Sequence, residues 1–314
     1  MTTPTIADVQ AAAERIRPYI TRTPILTSDA LNAQVGAELF FKCENLQKAG
    51  SFKSRGATNT VLLLKEAGTT DTVTTHSSGN HGAAVAMAAQ RQGFSATIVM
   101  PRTAPAIKQA NVASFGAEIV LCEPNVVARE AAADKVVAEQ NATLIHPYDD
   151  VRVIAGQGTT GLEILEDVPD LDMVIAPVGG GGMLSGTALT MANLAPSVRV
   201  FGAEPEGADD AMRSMAAGHI IPMIEPNTIA DGLLTSLGEL TFPIIYKHVE
   251  KIYTVSEDEI ITAMRLIWDR LKIIIEPSCS VTLAVVMKHP AVFKGKRIAL
   301  VLTGGNIDLD KLPF

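Results

Sequence analysis

The stretch Met173-Val174-Ile175-Ala176-Pro177-Val178-Gly179-Gly180-Gly181-Gly182-Met183-Leu184-Ser185-Gly186 runs from an unbroken apolar segment, through four glycines, into small and apolar residues at helical spacing. An apolar run without polar alternation reads as a strand buried on both faces, and such strands belong to parallel sheets covered by helices. Glycines at the strand-to-helix turn let the backbone approach a ligand closely and aim its N–H groups inward, which suits a phosphate. Outward from this unit, short apolar runs alternate with helical ones at 38–43, 72–75, 96–100, 118–121, 143–145, 198–203, 251–255 and 297–302. Strands separated by helices predict an α/β fold with parallel sheets flanked by helices. The first helix is signalled by Thr5 as N-cap with Asp8 behind it, by Ile6, Val9, Ala13 and Ile16 on one face, and by a stop near Pro18.

At 314 residues and 33.2 kDa the chain is about the size of two compact lobes. Hydrophobic residues at 47 % and charged residues at 19 % supply a large core and exclude wholesale disorder. A net charge of −8 offers no basic stripe, which excludes nucleic acid and anionic membrane surfaces as main partners. No apolar run approaches the roughly 20 residues of a spanning helix, and residues 1–8 lack the charged and apolar regions of a signal peptide, so the expected compartment is the cytoplasm. Cys43, Cys122 and Cys279, an odd number without a CxxC spacing, fit free buried thiols in a reducing setting. Turn-rich residues at 67–70 and 146–150 bracket four of the strand-like runs, which predicts a small domain over 69–147 inserted into a large one made of 1–68 and 148–314.

Four further loops carry polar groups at strand ends, where open α/β folds bind ligands. Asn45-Leu46-Gln47-Lys48-Ala49-Gly50-Ser51-Phe52-Lys53-Ser54-Arg55-Gly56-Ala57 places Lys53 at a helix start; it is either a solvated charge or a desolvated amine kept nucleophilic for Schiff-base chemistry. Ser77-Ser78-Gly79-Asn80-His81-Gly82 leads into a helix expected near Ala83, and its hydroxyls, amide and N–H groups suit a carboxylate. His81 reads there as hydrogen-bonded structure before it reads as a base. Thr303-Gly304-Gly305-Asn306 puts a hydroxyl at the end of a late strand, within reach of a ligand ring nitrogen, and Glu276 is either surface charge or a supporting acid. A nicotinamide-dinucleotide reading stays open, since Glu204 ends the strand after the glycines where an acid would meet a ribose; the strict G-x-G-x-x-G spacing fails at Ser185. An amine, a phosphate cradle, a carboxylate turn and a ring partner together describe pyridoxal phosphate on a lysine.

Along nearly its full length the chain resembles the fold-type II pyridoxal-phosphate enzymes, a tryptophan synthase β-like two-domain fold, and within them the serine/threonine dehydratase and serine racemase branch. Ser51-Phe52-Lys53-Ser54-Arg55-Gly56-Ala57, 77–82, the glycine run and Thr303-Gly304-Gly305-Asn306 carry the likeness. The resemblance implies that Lys53 holds the cofactor, with Phe52, Asn80, Gly179, Gly180, Gly181, Gly182, Met183, Glu276 and Thr303 around it. Asn80 would bond the ring hydroxyl, 179–183 the phosphate, and Thr303 would face the ring nitrogen. Ser77, Ser78, Asn80, His81, Arg129 and Thr235 would surround the substrate, and Ser78 would serve as a second proton carrier on the opposite face. The implied reaction is β-elimination of a hydroxy amino acid such as serine or threonine to a keto acid and ammonia, with 3-hydroxyaspartate dehydration or serine racemisation as alternatives on the same site. The small domain would be mobile and the enzyme a homodimer.

The resemblance also implies a hard cation, Mg²⁺ or else Ca²⁺ or Mn²⁺, held by the carboxylates of Glu204 and Asp210 and the carbonyl of Ala208; a solvated acidic turn is the other reading of that loop. Arg129 is the candidate for a second substrate carboxylate. Two departures stand out. Ser54 replaces the bulky apolar residue usual after the lysine, and Cys279-Ser280 stands where small residues and glycine are common. Ending soon after Asn306, the sequence carries no regulatory domain of the kind appended to feedback-controlled threonine deaminases.

Overall fold

A computed structural model describes residues 3–68, 70–77 and 79–314. Ten strands form two sheets: β1 (Ile25–Leu26), β2 (Glu38–Cys43), β3 (Thr72–His76), β4 (Ser95–Pro101), β5 (Glu118–Cys122), β6 (Thr143–Leu144), β7 (Met173–Pro177), β8 (Arg199–Pro205), β9 (Lys251–Val255) and β10 (Arg297–Leu302). The larger sheet has the order β1-β2-β10-β7-β8-β9 and the smaller β5-β4-β3-β6. All pairings are parallel except β1 with β2, a two-residue antiparallel edge that is too short to leave a periodic signal in sequence.

Side-chain alternation splits the core across each sheet. Met173 and Ile175 of β7 join Ile298, Leu300 and Leu302 of β10 on one face, whereas Val174 and Ala176 join Ala299 and Val301 on the other. Every residue of β7 is buried, as its unbroken apolar run predicts. In the smaller sheet Ile98 and Met100 pack beneath the helix Asn80–Gln92, and Val99 packs with Cys122 and Ala133 on the opposite side. The first helix, Ile6–Ile16, has the expected capping box between Thr5 and Asp8, an arrangement that contributes about 1 kcal/mol.

Two glycine pairs set the spacing of the helices that matter most for the site. A Cβ on Gly156 would lie 2.6 Å from the Cα of Gly56, and one on Gly186 would lie 2.6 Å from the backbone N of Gly158. The helix Lys53–Ala67 and the helix Gly182–Leu194 therefore both press, backbone against backbone, on the same helix Val151–Asp167.

Candidate active site

Lys53 opens its helix directly after Ser51, which bridges to Gly304, and the N–H of Phe52 donates to the Thr303 carbonyl at 3.0 Å. Thus the lysine is tied to the end of β10. Two residues on, the fully buried guanidinium of Arg55 donates to both oxygens of Glu44 at 2.7 and 2.8 Å and to both oxygens of Glu163 at 2.8 Å. Lys42, also buried, donates to Glu163 at 2.6 Å, so two cations face two anions. Burial alone would raise the Glu163 carboxyl, but Arg55 and Lys42 hold it below its ordinary value. Removing one partner of such a cluster leaves an uncompensated charge in the interior.

The Lys53 Nζ donates to the Pro147 carbonyl at 2.7 Å and lies 5.0 Å from the Phe52 ring centroid. Burial lowers this amine to about 8, with the charge of Glu276 pulling the other way. A desolvated amine, not a solvated one, stands at position 53. Tyr148, next to Pro147, lies flat against the glycine bend: a Cβ on Gly180 would fall 2.2 Å from its ring. Asp149 accepts from the N–H groups of Glu239, Leu240 and Thr241, and Thr241 Oγ1 donates to the Gly180 carbonyl at 2.8 Å. Gly181 has φ +90°, open to glycine alone without strain, and ends the bend where the helix Gly182–Leu194 presents its free N–H groups. Met183 is buried in the first turn of that helix.

Across from the lysine, Asn80 Nδ2 donates to both oxygens of Glu276 at 2.9 and 3.0 Å, and its Oδ1 accepts from Asn306 at 2.9 Å. One amide proton can serve the carboxylate, which leaves the other for a ligand. The Glu276 carboxyl is pushed up to about 7 by burial and then by the charge of Asp231, against the pull of Lys108 and Asn80. Glu276 is thus a buried acid, not surface charge. Thr303 is buried beside it, within 3.4 Å of Cys279 Sγ. The helix after the serine loop opens at Asn80, three residues before the expected Ala83, because Gly79 supplies its cap. Ser77 Oγ accepts from the Gly79 N–H at 3.2 Å; Ser78 lies outside the described residues.

His81 turns inward, its Nε2 3.1 Å from the Ile145 carbonyl, and burial drives its pKa well down. His146 is lowered to about 4 by burial and then by His76, so these rings stay neutral near pH 7. Tyr148 is raised to about 12 by burial and then by Asp149, while a hydrogen bond with Thr235 and the charge of Arg129 oppose the rise. Arg129, on the helix Val126–Gln140, also lowers His76, and so its charge reaches the wall formed by His76, His146 and Tyr148. Sequence reasoning passed over Tyr148: only its place beside a turn hinted at it, and its packing on a loop 32 positions away has no local signature.

Glu204 closes β8 and spends one oxygen on the N–H of Ala211 at 2.9 Å and the other on that of Met212 at 3.0 Å. It has turned away from any ribose. Both oxygens of the buried Asp210 carboxylate lack a hydrogen-bond partner of good geometry, although the backbone of Leu237 lies near enough to counter its rise. Burial pushes Asp210 up to about 7 and raises Glu204, to which the charge of Asp210 adds. Ala208 is buried in the short turn Glu206–Ala208 between them. Among the described residues no three His, Cys, Asp or Glu side chains converge, so a cation here would need main-chain and water oxygens as well. The orphaned Asp210 carboxylate fits that donor set.

These groups all lie beyond the carboxyl ends of their strands. A surface cavity of about 540 Å³ occupies the other edge of the small sheet, lined by strand-starting residues such as Thr72, Ser95 and Glu118, and holds none of them.

The family model described as pyridoxal-phosphate dependent enzyme matches residues 16–304. The β-hydroxyaspartate dehydratase of Paracoccus denitrificans is 54 % identical over 311 residues, covering 99 % of each chain. Among solved structures, maize serine racemase superposes with a TM-score of 0.96 at 43 % identity, over 98 % of this chain and 95 % of that one. The serine racemase of Dictyostelium discoideum gives 0.93 at 46 % identity, over 98 % and 100 %. A bacterial-type threonine deaminase structure gives the same score at 45 % identity, over 98 % and 99 %.

Proposed function

This chain belongs to the pyridoxal-phosphate dependent enzymes, and from that premise we propose that it removes the β-hydroxyl of a hydroxy amino acid, with 3-hydroxyaspartate as the preferred substrate. The nicotinamide reading falls with the family and with the turned-away Glu204. The observation that carries the reaction is the Lys53 amine: desolvated, lowered to about 8, and held by the Pro147 carbonyl between the glycine bend and the Asn80–Glu276 pair.

When bound, pyridoxal phosphate supplies an aldehyde for the lysine and an electron sink for the charge left at the substrate α-carbon. Residues 179–183 would hold its phosphate through the N–H groups of the bend and helix start, Phe52 would flank its ring, Asn80 would use its spare N–H on the ring hydroxyl, and Thr303 would stand opposite the ring nitrogen. An amine with a pKa near 8 exchanges protons readily at neutral pH, so Lys53, once displaced by substrate, takes the α-proton. Ser77, Ser78 and the Asn80 helix start would bind the α-carboxylate, with Glu276 supporting Asn80 and buried His81 shaping the floor. The β-hydroxyl leaves, and hydrolysis of the remaining enamine gives a keto acid and ammonia. Arg129 and Thr235, on either side of Tyr148, would receive the second carboxylate of 3-hydroxyaspartate; this favours it over serine or threonine, which have none.

Glu204, Asp210 and the carbonyl of Ala208 would hold a Mg²⁺-like cation that neutralises the orphaned carboxylate and fixes the end of β8. In this reading residues 69–147 are the small mobile domain and 1–68 with 148–314 the large one, supported by the separate four-stranded sheet. The reading extends to a homodimer in the cytoplasm, the latter supported by three free, buried cysteines; no helix is long and apolar enough to cross a membrane. Keto-acid release across the 3-hydroxyaspartate stereoisomers, L-serine and L-threonine tests the substrate. A higher kcat/KM for serine or threonine than for every hydroxyaspartate, or no loss on the hydroxyaspartate in Arg129→Ala, would reject the dicarboxylate reading.

A further inference from the structure

We propose that Cys279 is a positioning residue that fixes the direction of the Thr303 hydroxyl proton, and thereby the protonation state of the pyridine nitrogen opposite Thr303. This rests on the reading of Thr303 as ring partner and adds to it a residue particular to this chain. Cys279 lies in the first turn of the helix Pro277–Lys288 and is fully buried. Its Sγ is 2.9 Å from the Gly304 carbonyl oxygen, 3.1 Å from the Gly304 nitrogen and 3.4 Å from Thr303 Oγ1.

The donor count decides the direction. A thiol has one proton, and burial, aided by the charge of Glu276, keeps it on the sulfur. A carbonyl oxygen only accepts, so the contact with the Gly304 carbonyl takes the thiol proton; an amide N–H only donates, so Gly304 uses the sulfur as acceptor. What remains for the third contact is a bond from the Thr303 hydroxyl to the sulfur. Thr303, 4 % exposed, then shows lone pairs and no proton to a ring nitrogen. A nitrogen facing an acceptor is favoured with its proton on. Without the sulfur, the hydroxyl proton is free to swing toward the nitrogen and favour the unprotonated form. A weak acceptor biases this equilibrium by roughly two- to tenfold. A protonated ring draws off more charge, so the sulfur tilts the site toward returning a proton to the α-carbon and away from expelling the β-group.

Holoenzyme carrying cofactor labelled with ¹⁵N in the ring tests the inference by NMR, in wild type, Cys279→Ala, Cys279→Ser and Thr303→Ala. The expected result is a shift of the ring nitrogen toward the unprotonated form in Cys279→Ala, by the stated factor, with Cys279→Ser near wild type because a hydroxyl also accepts. Cys279→Val, which keeps bulk and lacks an acceptor, gives the same comparison should Cys279→Ala not fold. A resonance moved by Thr303→Ala but not by Cys279→Ala or Cys279→Val overturns the role of Cys279 and leaves Thr303 as ring partner. A resonance indifferent to Thr303→Ala overturns that reading of Thr303, and the inference with it.

Discussion

At residue 53 the decisive property is the loss of water around an amine. In the cofactor-free protein Lys53 titrates at about 8, whereas an exposed lysine does so at about 10.4. Between those values the unfolded chain holds one proton more than the folded one, so stability rises with pH across that window. Urea midpoints from pH 7.5 to 10 should climb more steeply for wild type than for Lys53→Met, and parallel slopes would mean a solvated amine. Asp210 gives a second residue-scale expectation, because its buried carboxylate lacks a partner. Mg²⁺ at a hundredfold excess over its dissociation constant should stabilise wild type by about 2.7 kcal/mol. Thermal melts should show that gain vanish in Asp210→Asn.

Among the elements, the helix Lys53–Ala67 is aimed by Arg55, whose fork spans Glu44 and Glu163. Arg55→Ala should cost about 3–5 kcal/mol by leaving two buried carboxylates unpaired. Arg55→Lys should recover little of it, since an ammonium cannot serve two carboxylates in a planar fork; urea unfolding of both variants checks this. Here the limits of sequence are plain. The strand-to-helix loops were legible because glycines and hydroxyls at a strand end are a local signal, and Asn80, the glycine bend and Thr303 do gather with Lys53. The role of Arg55 was not legible, although the residue stood in a quoted motif, because Glu163 is 108 positions away and nothing local selects it. Tyr148 escaped for the same reason. The two-residue β1 and the early start of the helix Asn80–Gln92 turn on single backbone contacts that no periodicity records.

On the scale of the whole molecule, the two sheets meet across a few polar links. One is the ion pair between Lys108, on the helix Ala106–Ser114 beside the small sheet, and Asp231, in the loop that precedes β9. Both charges bear on Glu276, Asp231 raising its pKa and Lys108 lowering it. Lys108→Met should move the acid limb of the kcat/KM profile up by about one unit and Asp231→Asn down by a similar amount. Shifts of the same sign in both variants would disconnect Glu276 from the pair.

The paired glycines that seat two helices on Val151–Asp167 have a further effect on turnover. Covalent tether and phosphate anchor are gauged from one common keel, and no part of that keel lies in residues 69–147. The distance between them is therefore the same whether the lid of the enzyme is up or down. Substrate and product can be traded through the opening many times over while the coenzyme never feels the gate swing.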